Sequence, residues 1–185
     1  MDTADITGKR VAILVYNHFE QAEFEEPLKA LKGAGADVHV ISASTTDLQG
    51  LNHIEKGDRF TADVLLANAE PEQYDALVLP GGVVNADKLR MVGEAQDWVN
   101  HFIDEGKLVA AICHAPWLLV SADTIESRRL TSYYTLQDDI KNAGGDWADQ
   151  SVVIDGNLIT SRQPSDLADF NKAVLNALKP KPIIL

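Results

Sequence analysis

An α/β fold, with a mostly parallel sheet covered by helices on both faces, is what this sequence of 185 residues predicts. Three observations carry the prediction. Several short runs are apolar without alternation, as strands buried on both faces require. These runs alternate with segments of helical period. A late pair of runs brackets Asp155-Gly156-Asn157, a hairpin signal. The first run, VAILVY, lies between Arg10 and Asn17. A helix follows over Glu20 to Lys32, where Glu20, Glu23, Glu25 and Glu26 suit the positive end of the helix dipole and Gly33 and Gly35 stop it. Val38 to Ile41 is a second strand. From Thr45 to Thr61 the residues are polar with scattered glycines, which suggests a loop or a short hairpin excursion. Asp75 to Pro80 is the clearest strand, ended by Gly81-Gly82. Ala95, Trp98, Val99 and Phe102 fall at helical spacing and place a helix over Glu94 to Glu105, with Gly106 as its stop. Leu108 to Ile112 is the next buried strand. A helix over His114 to Ala122 follows, tolerating Pro116 in its first turn. Leu136 to Ala143 reads as a short helix, Ser151 to Ile154 and Leu158 to Ser161 as the hairpin. In the last helix, Ser165 to Leu178, Leu167, Phe170, Val174 and Leu178 share a face.

The length fits one domain over residues 1–185, with a core at about 9–178, and neither repeat nor linker interrupts it. The tail 179–185 is broken by prolines, and its apolar end is expected to pack against the body or a partner subunit. With 45% hydrophobic and 24% charged residues, the composition excludes disordered, collagen-like and disulfide-scaffold classes. A net charge of −12 repels phosphate, so no nucleic-acid partner is expected. No stretch reaches the ~20 apolar residues of a membrane span; the run Leu108 to Ala122 is interrupted by His114 and Pro116. The first ten residues lack an apolar export core, and there is no N-x-S/T sequon, which points to the cytoplasm. A lone cysteine, Cys113, excludes an internal disulfide and a multi-cysteine metal site.

Ligands of such sheets bind beyond the carboxyl ends of the strands. Two ends stand out. At Pro80-Gly81-Gly82, two glycines let the backbone approach a ligand and offer amides to an anion. At Ile112-Cys113-His114-Ala115 a buried strand turns at once into a helix, the logic of a nucleophile elbow. Position alone makes Cys113 more often a core residue, but the glycine pair beside it favours a reactive thiol. The helix start is expected to depress its pKa and leave it partly thiolate. The His114 amide, with one from Gly81 or Gly82, would hold an oxyanion. Adjacent side chains at an elbow do not naturally converge, so His114 is expected to act mainly through its amide. His18, His39, His53 and His101 show no metal-ligand spacing, and only His18 lies near a strand end, where it would line the pocket. No P-loop or GxGxxG follows a strand, so neither metal nor nucleotide cofactor is expected.

Phe19-Glu20-Gln21-Ala22-Glu23, Asp75–Gly82 (DALVLPGG), Ala111–Pro116 (AICHAP), Thr131–Ile140 (TSYYTLQDDI), Asn142–Trp147 (NAGGDW) and Val153–Leu167 (VIDGNLITSRQPSDL) together resemble the PfpI/ThiJ family, part of the class I glutamine amidotransferase-like superfamily. The resemblance runs from about Lys9 to Leu178. It implies a flavodoxin-like sandwich with Cys113 reactive on the elbow and Glu23 as its acidic partner. Because a carboxylate would repel a thiolate, Glu23 is expected to hold a proton and donate a hydrogen bond to sulfur. In the protease branch His114 would be the general base, oriented by an acidic residue of a neighbouring subunit. Asp87 is the match here, shorter than the family's Glu. Tyr133 matches a family position near the pocket. The family forms dimers or larger rings. Three functions are implied: a stress-protective cysteine hydrolase acting on peptides or small carbonyl compounds; a glutathione-independent glyoxalase or deglycase using Cys113 and Glu23; or a redox sensor or holdase without turnover.

Overall fold

The computed structural model describes residues 5–180. Its main sheet has seven strands in the order β11 (Val152–Asp155), β12 (Leu158–Ser161), β8 (Leu108–Ile112), β7 (Ala76–Leu79), β1 (Arg10–Val15), β3 (Asp37–Ser42) and β6 (Val64–Leu65). Neighbours run parallel except β11, which folds back on β12 as the turn at Gly156 predicts. The unbroken apolar runs follow from burial on two faces. Val11, Ile13 and Val15 of β1 pack with Phe24 and Leu31 of α1 (Gln21–Gly33) and with Phe170 and Val174 of α6 (Leu167–Leu178). Ala12 and Leu14 face the other way. They join Leu89 of α2 (Val83–Leu89), Trp98 and Phe102 of α3 (Gly93–Asp104), Leu118 of α4 (Pro116–Ser121) and Ile140 of α5 (Gln137–Asn142). This is a flavodoxin-like sandwich.

After β1 the chain builds outward through β3 and then returns to the other side of β1 as β7. The order therefore reverses between β1 and β7, and a crevice opens at their carboxyl ends. Thr45 to Thr61 is the hairpin rather than the loop. β4 (Asp47–Asn52) and β5 (Glu55–Thr61) join β2 (Phe19–Glu20) in a small sheet beside the crevice. Leu48 is buried there while most of β5 is exposed, so its sequence is polar.

The start of one expected helix needs correcting, and some short elements carried no signal in the sequence. Gly82 leads into α2, a seven-residue helix whose apolar period is too short to read. The elbow helix starts at Pro116, not His114, because the chain first turns through left-handed Cys113 (φ 64) in tight three-residue hydrogen bonds, Ala115 N to Ile112 O (3.1 Å) and Trp117 N to His114 O (3.1 Å). Arg129–Leu130 and Asp146–Trp147 pair as β9 and β10, too short to be signalled. The helices expected at Leu136 and Ser165 are each preceded or opened by a 3-10 turn, Tyr134–Leu136 and Pro164–Asp166. Among the described residues no helix is long and apolar enough to cross a membrane. The apolar end of the tail, 181–185, lies outside the described residues.

Candidate active site

The carboxyl ends of β1, β7 and β8 meet at Cys113. Its left-handed φ of 64 is one that L residues rarely adopt, at a cost on the order of 1–3 kcal/mol. The surroundings hold it there. The Cys113 amide donates to Ser161 O (3.0 Å), and its carbonyl accepts from the Tyr133 amide (2.8 Å). The turn lifts the side chain off the sheet while leaving the residue only 7% exposed.

It also corrects the expectation for His114. With Cys113 left-handed, the two side chains converge, and His114 Nδ1 lies 3.2 Å from Cys113 Sγ. The ring is clamped by Tyr133, stacked at 4.8 Å between centroids, and by Trp117, edge-on at 5.3 Å. Trp117 is fixed in turn by donating from Nε1 to Asp139 Oδ2 (2.8 Å). Burial pushes the imidazole below its ordinary pKa, so at neutral pH it is uncharged and can accept a proton.

Glu23, in the first turn of α1, is fully buried, and neither carboxyl oxygen has a hydrogen-bond partner. Burial drives its pKa to about 8; the negative charge of Glu20 adds to this, while the Cys113 thiol and the Gly81 amide, facing the carboxyl outside hydrogen-bonding geometry, pull the other way. Glu23 is thus protonated at neutral pH. The Cys113 thiol is pushed up, not down, which corrects the expected thiolate. Burial is the main cause and the charge of an ionised Glu23 the second. The amides of Gly82 and His114 oppose this, but α4 begins three residues later and is only six residues long. A proton on Glu23 removes the repulsion and leaves burial as what the thiol must overcome.

The two glycines have separate tasks. A Cβ on Gly81 would stand 2.3 Å from Glu23 Oε2 and 2.6 Å from Cys113 Cβ, so glycine here lets acid and thiol approach. Gly82, at φ +89, leaves no room for a Cβ against Glu20 N (2.5 Å), and it aims its amide at the sulfur beside that of His114. The two amides that face the sulfur are therefore those of Gly82 and His114.

Asn85 was missed by sequence reasoning. Fully buried in α2, it accepts from the Tyr16 amide (2.7 Å) and donates to Pro80 O (3.0 Å) and Gly81 O (3.1 Å), tying the ends of β1 and β7 together. The available signal was a polar residue four positions after a strand-ending glycine. Asn85→Ala is expected to lower stability by roughly 3 kcal/mol, read as a urea midpoint, because the Tyr16 amide and the Pro80 carbonyl lose this partner and the Gly81 carbonyl is left with the Glu20 amide alone.

A cavity of about 500 Å³ opens over the sulfur. Of the expected residues, Cys113, His114, Glu23, Gly82, Tyr133 and His18 line it; Gly81 sits behind them. Asp87 does not reach it. It lies exposed on α2, and the single chain does not bring it to His114. Glu20, the hairpin residues Leu51 and His53, and Gln163 and Ser165 after β12 also line the cavity. Arg162, bonded to Asp166 and Asp149, anchors that last loop. Among the described residues no group of His, Cys, Asp or Glu is arranged for a metal ion.

A sequence profile of the DJ-1/PfpI family matches residues 9–177. An uncharacterized protein of Staphylococcus aureus is 38% identical over 174 residues, covering 92% of this chain and 99% of that protein. Among solved structures, a two-domain protein from Anabaena variabilis with DJ-1/ThiJ/PfpI-like and ferritin-like domains is 36% identical with a TM-score of 0.85. The match covers 94% of this chain and 50% of that one, so this chain spans half its length. Drosophila melanogaster DJ-1beta is 27% identical with a TM-score of 0.85, covering 94% and 91% of the two chains.

Proposed function

The chain belongs to the DJ-1/PfpI family, and on that premise we propose that it is a cysteine-dependent hydrolase of small amides and short peptides, a cytoplasmic stress-protection protein, with Cys113 as nucleophile and His114 as its base. The observation that carries this is the 3.2 Å approach of a neutral imidazole to the sulfur at the floor of a cavity. The cavity's size favours small substrates over folded protein.

His114 Nδ1 takes the thiol proton, with the ring's own hydrogen on Nε2, and the sulfur attacks the substrate carbonyl carbon. The oxyanion that forms meets the amides of Gly82 and His114. Imidazolium returns its proton to the leaving nitrogen, the C–N bond breaks, and water hydrolyses the thioester to regenerate the thiol. Glu23 keeps its proton and donates it towards sulfur, which stabilises the thiolate without a competing charge. In a homo-oligomer, Asp87 is the carboxylate available to approach Nε2 of His114 in a neighbouring copy.

A second reading on the same thiol is conversion of a 2-oxoaldehyde such as methylglyoxal to a hydroxy acid, or the related deglycase reaction. The unpartnered carboxyl of Glu23 favours it. The thiol adds to the aldehyde carbon; Glu23, when ionised, carries a proton from that carbon to its neighbour; and water releases the hydroxy acid.

Fluorogenic short peptides, and methylglyoxal without glutathione, separate the readings. Fluorescence release from peptides that is lost in Cys113→Ala supports the hydrolase. Lactate formation lost in the same variant supports the second reading. Selective oxidation of Cys113 by mild peroxide, with no turnover of either, would instead support a redox sensor.

A further inference from the structure

The polar wall of the cavity carries an unusual balance of charge. The chain has 16 lysines and arginines, yet among the described residues none lines this cavity, while two glutamates do. Glu23 is fully buried with both oxygens unpartnered, and among the described residues no cationic side chain of lysine or arginine stands in the wall to balance a substrate's carboxylate. Glu20 stands next to it at the start of α1, its side chain 13% exposed. Its Oε2 accepts from the His53 amide (3.1 Å), which pins the tip of the β4–β5 hairpin against the mouth and holds the carboxylate in the wall. The His53 ring, 3.9 Å away and 85% exposed, is too well solvated to cancel that charge.

We propose that Glu20 makes the cavity a charge filter, admitting neutral and cationic carbonyl compounds to Cys113 and turning carboxylates away. The proposal rests on Cys113 as the reacting group and names the substrate class for it. A carboxylate brought to the sulfur must pass a fixed negative charge in a partly desolvated channel, where one unit charge shifts relative rates about tenfold. The same field favours departure of the acid that hydrolysis or aldehyde conversion leaves behind.

Iodoacetamide and iodoacetate differ by little besides charge, and both alkylate a thiol by forming an S–C bond, expelling iodide and releasing the thiol proton. Their rates at Cys113 can be followed by whole-chain mass and divided by the same ratio for 2-mercaptoethanol. The wild-type protein should prefer iodoacetamide about tenfold more than the free thiol does. Glu20→Gln, which keeps an acceptor for the His53 amide, should bring the preference to within about threefold of the free thiol. Asp97→Asn removes the same unit of charge from the exposed face of α3 and should leave it unchanged. In the wild-type protein, added salt should lower the preference, a reading that needs no substitution. Equal normalised ratios for wild type and Glu20→Gln, or a preference insensitive to salt, would overturn the filter. Slow reaction with both reagents would count against the nucleophile, not the filter, because the ratio is still read.

Discussion

Replacing His114 with alanine is expected to slow alkylation of Cys113 by iodoacetamide at neutral pH by about 100-fold or more, the usual range for loss of a positioned base. The reason is the state of the thiol. Burial pushes its pKa up, so a free thiolate is scarce, and the proton leaves through the basic side chain in contact with sulfur, His114 Nδ1 at 3.2 Å. Cys113 is the chain's only cysteine, so whole-protein mass reads the reaction without ambiguity. Tyr133→Ala should give a smaller loss, since it frees the ring without removing it. Rates for His114→Ala within about threefold of wild type would mean that the thiol ionises without help, contrary to the base role.

The second large effect is on stability against pH. Glu23 has an ordinary pKa of 4.5 and one of about 8 in the fold. Between those values the native state keeps a proton that the unfolded chain has lost, so raising pH through this window removes stability. Each tenfold mismatch in proton affinity is worth ~1.4 kcal/mol, so this group alone should cost roughly 5 kcal/mol across the window. Other carboxylates act in the opposite sense at lower pH, and comparison with Glu23→Gln isolates the contribution. Urea midpoints from about pH 5 to pH 8.5 should show the variant gaining steadily on the wild type. Parallel profiles would show that Glu23 is already ionised. Glu23→Leu should raise the apparent thiol pKa, because the protonated carboxyl that faces the sulfur goes and no negative charge was present to be lost.

What could be read in the sequence follows from what each residue had to do. Val11 to Val15, Ala76 to Leu79 and Leu108 to Ile112 are buried on both faces, so they are continuous apolar runs and the sheet was legible. The β4–β5 hairpin was left open between loop and strand because only one side of it is covered, and the register shift between Gln49 and Leu51 blurs its alternation. The PfpI/ThiJ resemblance placed Cys113, Glu23, His114 and Tyr133 together, and the fold brings all four to one cavity. Their electrostatics were not legible. An acidic helix start looks solvated, yet Glu23 is sealed beneath Gly81, whose missing side chain makes the room. The turn of His114 onto sulfur depends on one left-handed residue, which a single sequence does not reveal. Asn85 resembles any polar helix residue until its three backbone partners are seen.

The central claim is that Cys113 attacks carbonyl carbon. It is tested most directly by mixing the protein with a neutral p-nitrophenyl ester and following intact mass over time. The account expects a transient gain equal to the acyl group, located on the peptide containing Cys113, absent from Cys113→Ala and slow to form in His114→Ala. Steady hydrolysis with no adduct, at the same rate in Cys113→Ala, would contradict it.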